Sequence, residues 1–109
     1  HIDLIKVFNF LPKKDIRTLA KNAIQAIKNS GMCLELNAAG LRKPIGEIYP
    51  SKSIMELLAE HDIPITFSSD AHSPEQINYK KDALKGFARE HGYTQCAVFQ
   101  NKERFMVKF

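Results

Sequence analysis

The chain has 109 residues, 44% of them apolar and 26% charged, with a formal net charge of +4. That length holds one domain with a modest core, and the composition excludes a disordered segment and a disulfide-stapled scaffold. The apolar runs fall far short of the ~20 residues of a membrane-spanning helix, and the lysines are spread along the chain without aromatic interleaving, which argues against both a membrane and a nucleic-acid groove.

In chain order, His1-Ile2-Asp3-Leu4-Ile5 opens in strand-like sequence, with a strand expected at about residues 3 to 7. A chain that begins on His1 rather than Met is expected to continue upstream. Ile16, Leu19, Ala20, Ala23, Ile24 and Ile27 follow helical spacing with one apolar face, and Ser30-Gly31 is the expected stop. Met32 to Leu36 reads as a strand, and Asn37 to Pro50 as a long loop punctuated by glycine and proline. Loops of that length in compact domains are often functional.

Ser53 and Glu56 have the spacing of a capping box, opening a helix that buries Ile54, Leu57 and Leu58. Ile63 to Phe67 is a short apolar strand. Ser73 and Gln76 repeat the capping-box spacing, with Pro74 at the first helical position, and Ala83, Leu84, Phe87 and Ala88 carry a helix to Gly92. The tail predicts a strand around Cys96-Ala97-Val98-Phe99, a turn, and a final strand or strap through Phe105-Met106-Val107. Such alternation implies an α/β fold with parallel strands joined by right-handed crossovers. Sites in these folds collect at the carboxyl ends of strands. Cys33 and Cys96 lack C-x-x-C spacing and lie in apolar segments, which points to buried free thiols and a reducing cytoplasm.

Thr66-Phe67-Ser68-Ser69-Asp70-Ala71-His72-Ser73-Pro74 carries the strongest chemical signal. Asp70 and His72 stand two apart where a strand stops, so a carboxylate oxygen and a ring nitrogen can converge on one cation. The competing reading folds both side chains back onto the turn's own backbone. Glu35, in an apolar strand, needs a buried partner or a pocket, since an unpaired carboxylate there is costly. Asn37 either contacts a substrate or closes its turn. His61 and His91, at helix ends, suit the helix dipole better than a metal.

Together, His1-Ile2-Asp3, Leu34-Glu35-Leu36-Asn37-Ala38-Ala39-Gly40-Leu41-Arg42-Lys43-Pro44, Glu47-Ile48-Tyr49-Pro50 and Ser69-Asp70-Ala71-His72 resemble histidinol-phosphate phosphatases of the polymerase and histidinol phosphatase (PHP) superfamily. The resemblance implies that residues 1–109 are the carboxyl-terminal part of a single PHP domain, a distorted seven-stranded β/α (TIM-like) barrel whose upstream strands lie outside the chain. It implies up to three divalent metals, zinc, manganese or iron, and hydrolysis of a phosphomonoester in histidine biosynthesis. His1, Asp70 and His72 match metal-ligand positions of that family. Its early His-x-His motif and the intervening His and Glu have no counterpart here, so the chain alone is expected to be inactive.

In that frame Arg42 is the expected phosphate clamp, because a planar guanidinium binds two phosphate oxygens at once. Lys43 and Ser69 are further candidates for substrate contact. Asp3 either orients the His1 ring or is a surface charge. Tyr49 lines the substrate pocket or packs the loop. The expected partners are a small phosphorylated substrate and the upstream part of the same domain. Two readings compete: a non-catalytic, partner-binding fragment, and another PHP phosphoesterase acting on nucleotides or nucleic acid. Exposed apolar edges are expected to make the chain unstable or aggregation-prone alone.

Overall fold

A computed structural model describes residues His1–Phe109. The domain is a small mixed α/β structure of three α-helices and four short strands: α1 Ile16–Ser30, β1 Leu34–Asn37, α2 Lys52–Glu60, β2 Ile65–Ser68, α3 Lys81–Glu90, β3 Gln95–Gln100 and β4 Glu103–Lys108. No helix is long and apolar enough to cross a membrane.

Helix α1 starts where the Asp15 side chain accepts the Arg17 amide at 2.9 Å, and ends at Gly31, whose φ of 69° is the left-handed stop expected of glycine. It buries Ala20 and Ile24. Helix α2 buries Ile54, Met55, Leu57 and Leu58. Its N-cap is Ser51 rather than Ser53, and no side chain caps it, so the Ser53–Glu56 capping box does not form. The Ser73–Gln76 box is altered as well. Pro74–Gln76 forms one 3-10 turn with proline at its start, and the Gln76 carboxamide reaches back to the His72 amide at 3.0 Å instead of Ser73.

Strands β1 and β2 pair in parallel, Leu34 with Ile65 through Asn37 with Ser68, with α2 as the crossover. Leu34, Leu36 and Ile65 join Ile24, Ile54, Leu58, Leu84 and Ala88 in one buried cluster. Both strands end on the same side, which places Asn37 beside Ser68 and gathers the residues that follow them. Strands β3 and β4 form an antiparallel hairpin, Gln95 opposite Lys108. Its turn residues Asn101 and Lys102 both have positive φ, 51° and 66°, as a two-residue hairpin turn requires. The parallel strand order therefore holds for β1 and β2, while the tail is a strand, a turn and a strand.

The expected strand at residues 3 to 7 is a 3-10 helix, Leu4–Phe8. The apolar, β-branched sequence suggested extended backbone, but Asp3 and Lys6 are both buried and ion-paired at 3.0 Å. A strand would send positions 3 and 6 to opposite faces, whereas a helical turn brings i and i+3 together. The same turn leaves Leu4, Ile5 and Phe8 exposed. Phe99, Phe105, Met106 and Val107 of the hairpin are exposed too.

The long loop is more ordered than its punctuation suggested. Ala38–Arg42 is a 3-10 helix, and the chain then returns so that Asn37 and Tyr49 exchange two backbone hydrogen bonds, 2.7 and 3.0 Å. Gly40 permits this closure, since a Cβ there would run into the Glu47 carbonyl oxygen. Cys96 is a buried free thiol whose pKa is raised by burial, and Cys33 is free and half-buried.

Candidate functional site

The site residues stand at the carboxyl ends of β1 and β2. Asn37, 1% exposed, closes the end of β1: its side-chain Oδ1 accepts the Ala39 amide at 2.8 Å, and its Nδ2 donates to Glu35 at 2.7 Å and to Ser68 at 3.4 Å. Glu35 thereby has the partner that its apolar strand demands. Every polar atom of the Asn37 side chain is occupied within the fold.

After β2 the backbone turns at Asp70, which has a φ of 50°. Asp is among the few side chains that tolerate this left-handed region. The Ser68 hydroxyl accepts the Asp70 amide at 3.3 Å. Arg42 then spans from the loop after β1, its Nη1 donating to the Ser69 carbonyl at 2.8 Å and its Nη2 to the Asp70 carbonyl at 2.6 Å. Its guanidinium also lies over the Tyr79 ring, 5.5 Å from the centroid.

His72 Nδ1 lies 2.8 Å from the same Asp70 carbonyl oxygen. A carbonyl only accepts, so Nδ1 carries the proton and, in the neutral ring, the Nε2 lone pair is left free. The Asp70 carboxylate makes no hydrogen bond or ion pair, so the turn presents one unengaged carboxylate and one unengaged imidazole nitrogen. A cleft of about 290 Å³ adjoins it, lined by Phe67, Ser68, Ser69, Ala71, Tyr79 and Lys81 among others. Lys43 is exposed at the end of the Ala38–Arg42 turn.

His1 lies elsewhere, its ring edge-on to Tyr49 with centroids 4.8 Å apart. No three His, Cys, Asp or Glu side chains converge closely enough to hold a metal ion, so His1, Asp70 and His72 do not form one cluster in this chain. Asp3 is 5% exposed and is not a surface charge. Its Oδ2 is ion-paired with Lys6 Nζ at 3.0 Å and accepts from the Ser51 amide at 2.7 Å, tying the amino-terminal turn to the start of α2. Lys6 also reaches Glu47 at 3.0 Å and the Ile48 carbonyl at 2.9 Å. Tyr49 is 1% exposed and packs the loop, with its hydroxyl pushed up in pKa by burial and by the Asp3 charge. Its oxygen and Asp3 Oδ1 are buried without partners.

His61 and His91 end α2 and α3, each ring nitrogen Nδ1 against the carbonyl four residues back, at 2.9 and 2.7 Å. This is the helix-end role their positions predicted. Sequence reasoning missed Lys6, Ser68 and Tyr79. The i, i+3 spacing of Asp3 and Lys6 was a usable signal for the first. The other two act through a backbone group or a ring face, which leave no spacing rule behind.

The donor set of the Asp70 turn suits a divalent cation in part: a hard anionic oxygen and a neutral imidazole nitrogen whose other nitrogen is fixed by a carbonyl, the usual support behind a metal-bound histidine. Two donors fall short of the three protein ligands of catalytic zinc sites.

No family model matches the chain. It is 36% identical over 86 residues to a probable histidinol-phosphatase of Deinococcus radiodurans, covering 78% of this chain and 32% of that protein. A histidinol-phosphatase of Bacillus subtilis is 35% identical over 73% of this chain and 30% of its own length. A probable histidinol-phosphatase of Schizosaccharomyces pombe is 26% identical over 92% of this chain and 35% of its own. The chain is thus similar to a segment of bacterial and fungal histidinol-phosphatases that makes up about a third of their length.

Proposed function

We propose that this chain is the carboxyl-terminal part of a metal-dependent phosphomonoesterase with a PHP-type β/α barrel, one that hydrolyses histidinol phosphate to histidinol and phosphate. The observation that carries the chemistry is the Asp70 turn, where a carboxylate without partners stands two residues from an imidazole with Nε2 free. The names of the relatives supply the substrate.

In the complete protein His1, Asp70 and His72 would contribute to different metals of a cluster of up to three divalent ions, zinc, manganese or iron, with the remaining donors supplied from outside this chain. A bound ion of that kind lowers the pKa of water from 15.7 to about 7 and draws charge from phosphoryl oxygens. Water adds to phosphorus, the P–O ester bond breaks, and the leaving histidinol oxygen takes a proton. Lys43 is free to attract the phosphate, Ser69 borders the adjoining cleft, and Asn37 holds the turn after β1 from which Lys43 extends.

The test is phosphate release from histidinol phosphate by the full-length protein with manganese, beside its Asp70→Ala variant. Release that falls to background in the variant supports the reading. A full-length protein that binds manganese yet leaves histidinol phosphate intact overturns the substrate, and one that binds no metal favours a non-catalytic module.

A further inference from the structure

The guanidinium of Arg42 has the wrong partners for a simple phosphate clamp. Both terminal nitrogens are engaged with backbone carbonyls, at 2.8 and 2.6 Å, and Tyr79 covers one face. The carbonyls belong to Ser69 and Asp70, and the Asp70 oxygen is also the acceptor of His72 Nδ1. One peptide oxygen therefore receives two donors, one from the β1 loop and one from the imidazole.

We propose that Arg42 is a positioning residue: its two-pronged grip on the Ser69 and Asp70 carbonyls holds the left-handed turn at Asp70, and through the shared Asp70 oxygen fixes which nitrogen of His72 faces the site. This inference rests on the reading of Asp70 and His72 as the site. The physical case is geometric. The fork of a guanidinium can span two neighbouring carbonyls, whereas an ammonium acts as a point charge and cannot reproduce both bonds in fixed directions. Asp70 sits at a φ of 50°, a conformation that persists where the surroundings hold it, and the only side chain that grips the carbonyls on both sides of that residue's N–Cα bond is Arg42. If the grip is released, the Asp70 carbonyl can rotate away, and His72 loses the acceptor that keeps its proton on Nδ1.

Two measurements on the full-length protein decide this. The first compares wild type with Arg42→Lys, metal-free and at neutral pH, by the nitrogen-15 signature of the His72 ring, followed by manganese binding. The expected result is a shift away from the Nδ1-protonated tautomer and a loss of manganese affinity of about 10- to 100-fold, the range seen when groups behind a metal ligand are removed. An unchanged tautomer and unchanged manganese affinity, with only KM for histidinol phosphate raised, would overturn the proposal in favour of the clamp. The second needs no variant: inorganic phosphate is titrated into wild type while the Arg42 guanidinium signals are followed. Signals that stay still support positioning, and a saturable shift overturns it. Should the full-length protein bind manganese yet release no phosphate from histidinol phosphate, the proposed substrate falls, while the His72 tautomer still decides the role of Arg42.

Discussion

His1-Ile2-Asp3 and Asp70-Ala71-His72 contain the same two chemical groups at the same spacing, yet the fold treats their carboxylates in opposite ways. Asp3 is 5% exposed, paired with Lys6 and held on the Ser51 amide. The Asp70 carboxylate has no partner, although its backbone oxygen has two. The difference teaches that spacing alone does not distinguish a structural carboxylate from an unengaged one. What distinguishes them is whether the supporting bonds fall on the side chain or on the peptide group beneath it, since only the second arrangement leaves the carboxylate available.

Four substitutions in the full-length protein test that contrast. The largest effect is expected at the Asp3–Lys6 pair. Lys6→Met leaves a buried carboxylate unpaired and should cost about 3–5 kcal/mol in denaturant unfolding. A cost below about 1 kcal/mol would place Asp3 with Asp70 rather than against it. Next comes Gly40→Ala, which sits in the loop joining the two regions. Its Cβ meets the Glu47 carbonyl, and overpacking of this kind costs roughly 1–3 kcal/mol. Because Glu47 holds Lys6 and Arg42 follows Gly40 by two residues, both regions should loosen together, seen as faster amide exchange at Ser51 and Asp70.

Tyr93→Phe calibrates the shared scaffold, because the Tyr93 hydroxyl donates to the Ile63 carbonyl at 2.9 Å, before the start of β2 and away from both regions. The loss is about 1 kcal/mol at neutral pH. Burial, with the Asp62 charge second, pushes the Tyr93 pKa upward. A folded pKa above the unfolded value of ~10 means the native state keeps its proton longer, so this stability is complete below pH ~10 and lost as pH rises beyond it. Tyr93→Phe should remove part of that alkaline loss, with the rest assigned to Tyr49 and Cys96, and an unchanged alkaline limb in urea midpoints would contradict it. The smallest effect is expected for Asp70→Asn. Asn accepts the left-handed backbone and the carboxylate has no partner to lose, so the midpoint should shift by no more than about 0.5 kcal/mol while phosphate release collapses.

Much of this arrangement was legible in the residues. The spacing of Ile16 to Ile27, with Gly31 behind it, marks α1 because periodicity and a glycine stop are local properties. Ile63 to Phe67 marks β2, and Ser69-Asp70-Ala71-His72 marks the candidate site at its end. The amino-terminal turn was misread because Leu4, Ile5 and Val7 favour strand locally, while the decisive force is a buried ion pair whose partners Glu47 and Ser51 lie over forty residues away. The capping boxes misled for a related reason. Ser51 caps α2 where the incoming loop and Asp3 place the first turn, and spacing within the segment carries no trace of that contact. Arg42 was legible as a chemically important residue, but its partners are peptide oxygens, and peptide oxygens look alike at every position of a sequence.

The two pairs of strands also differ in how far apart in the chain their partners lie. In the β3–β4 hairpin, Gln100 faces Glu103 across a turn that Asn101 and Lys102 close by themselves, whereas Asn37 and Ser68 of the parallel pair are 31 residues apart. Hairpins close in about 1–10 μs, while a parallel pair waits for the loop entropy of its crossover to be overcome. The tail is therefore expected to acquire amide protection early in folding, and the Asp70 turn, which needs β1, β2 and the Arg42 loop all in register, to be among the last parts to form. A site assembled last is also the first to open, so local unfolding around Asp70 should precede global unfolding and expose the Ser69 and Asp70 amides first.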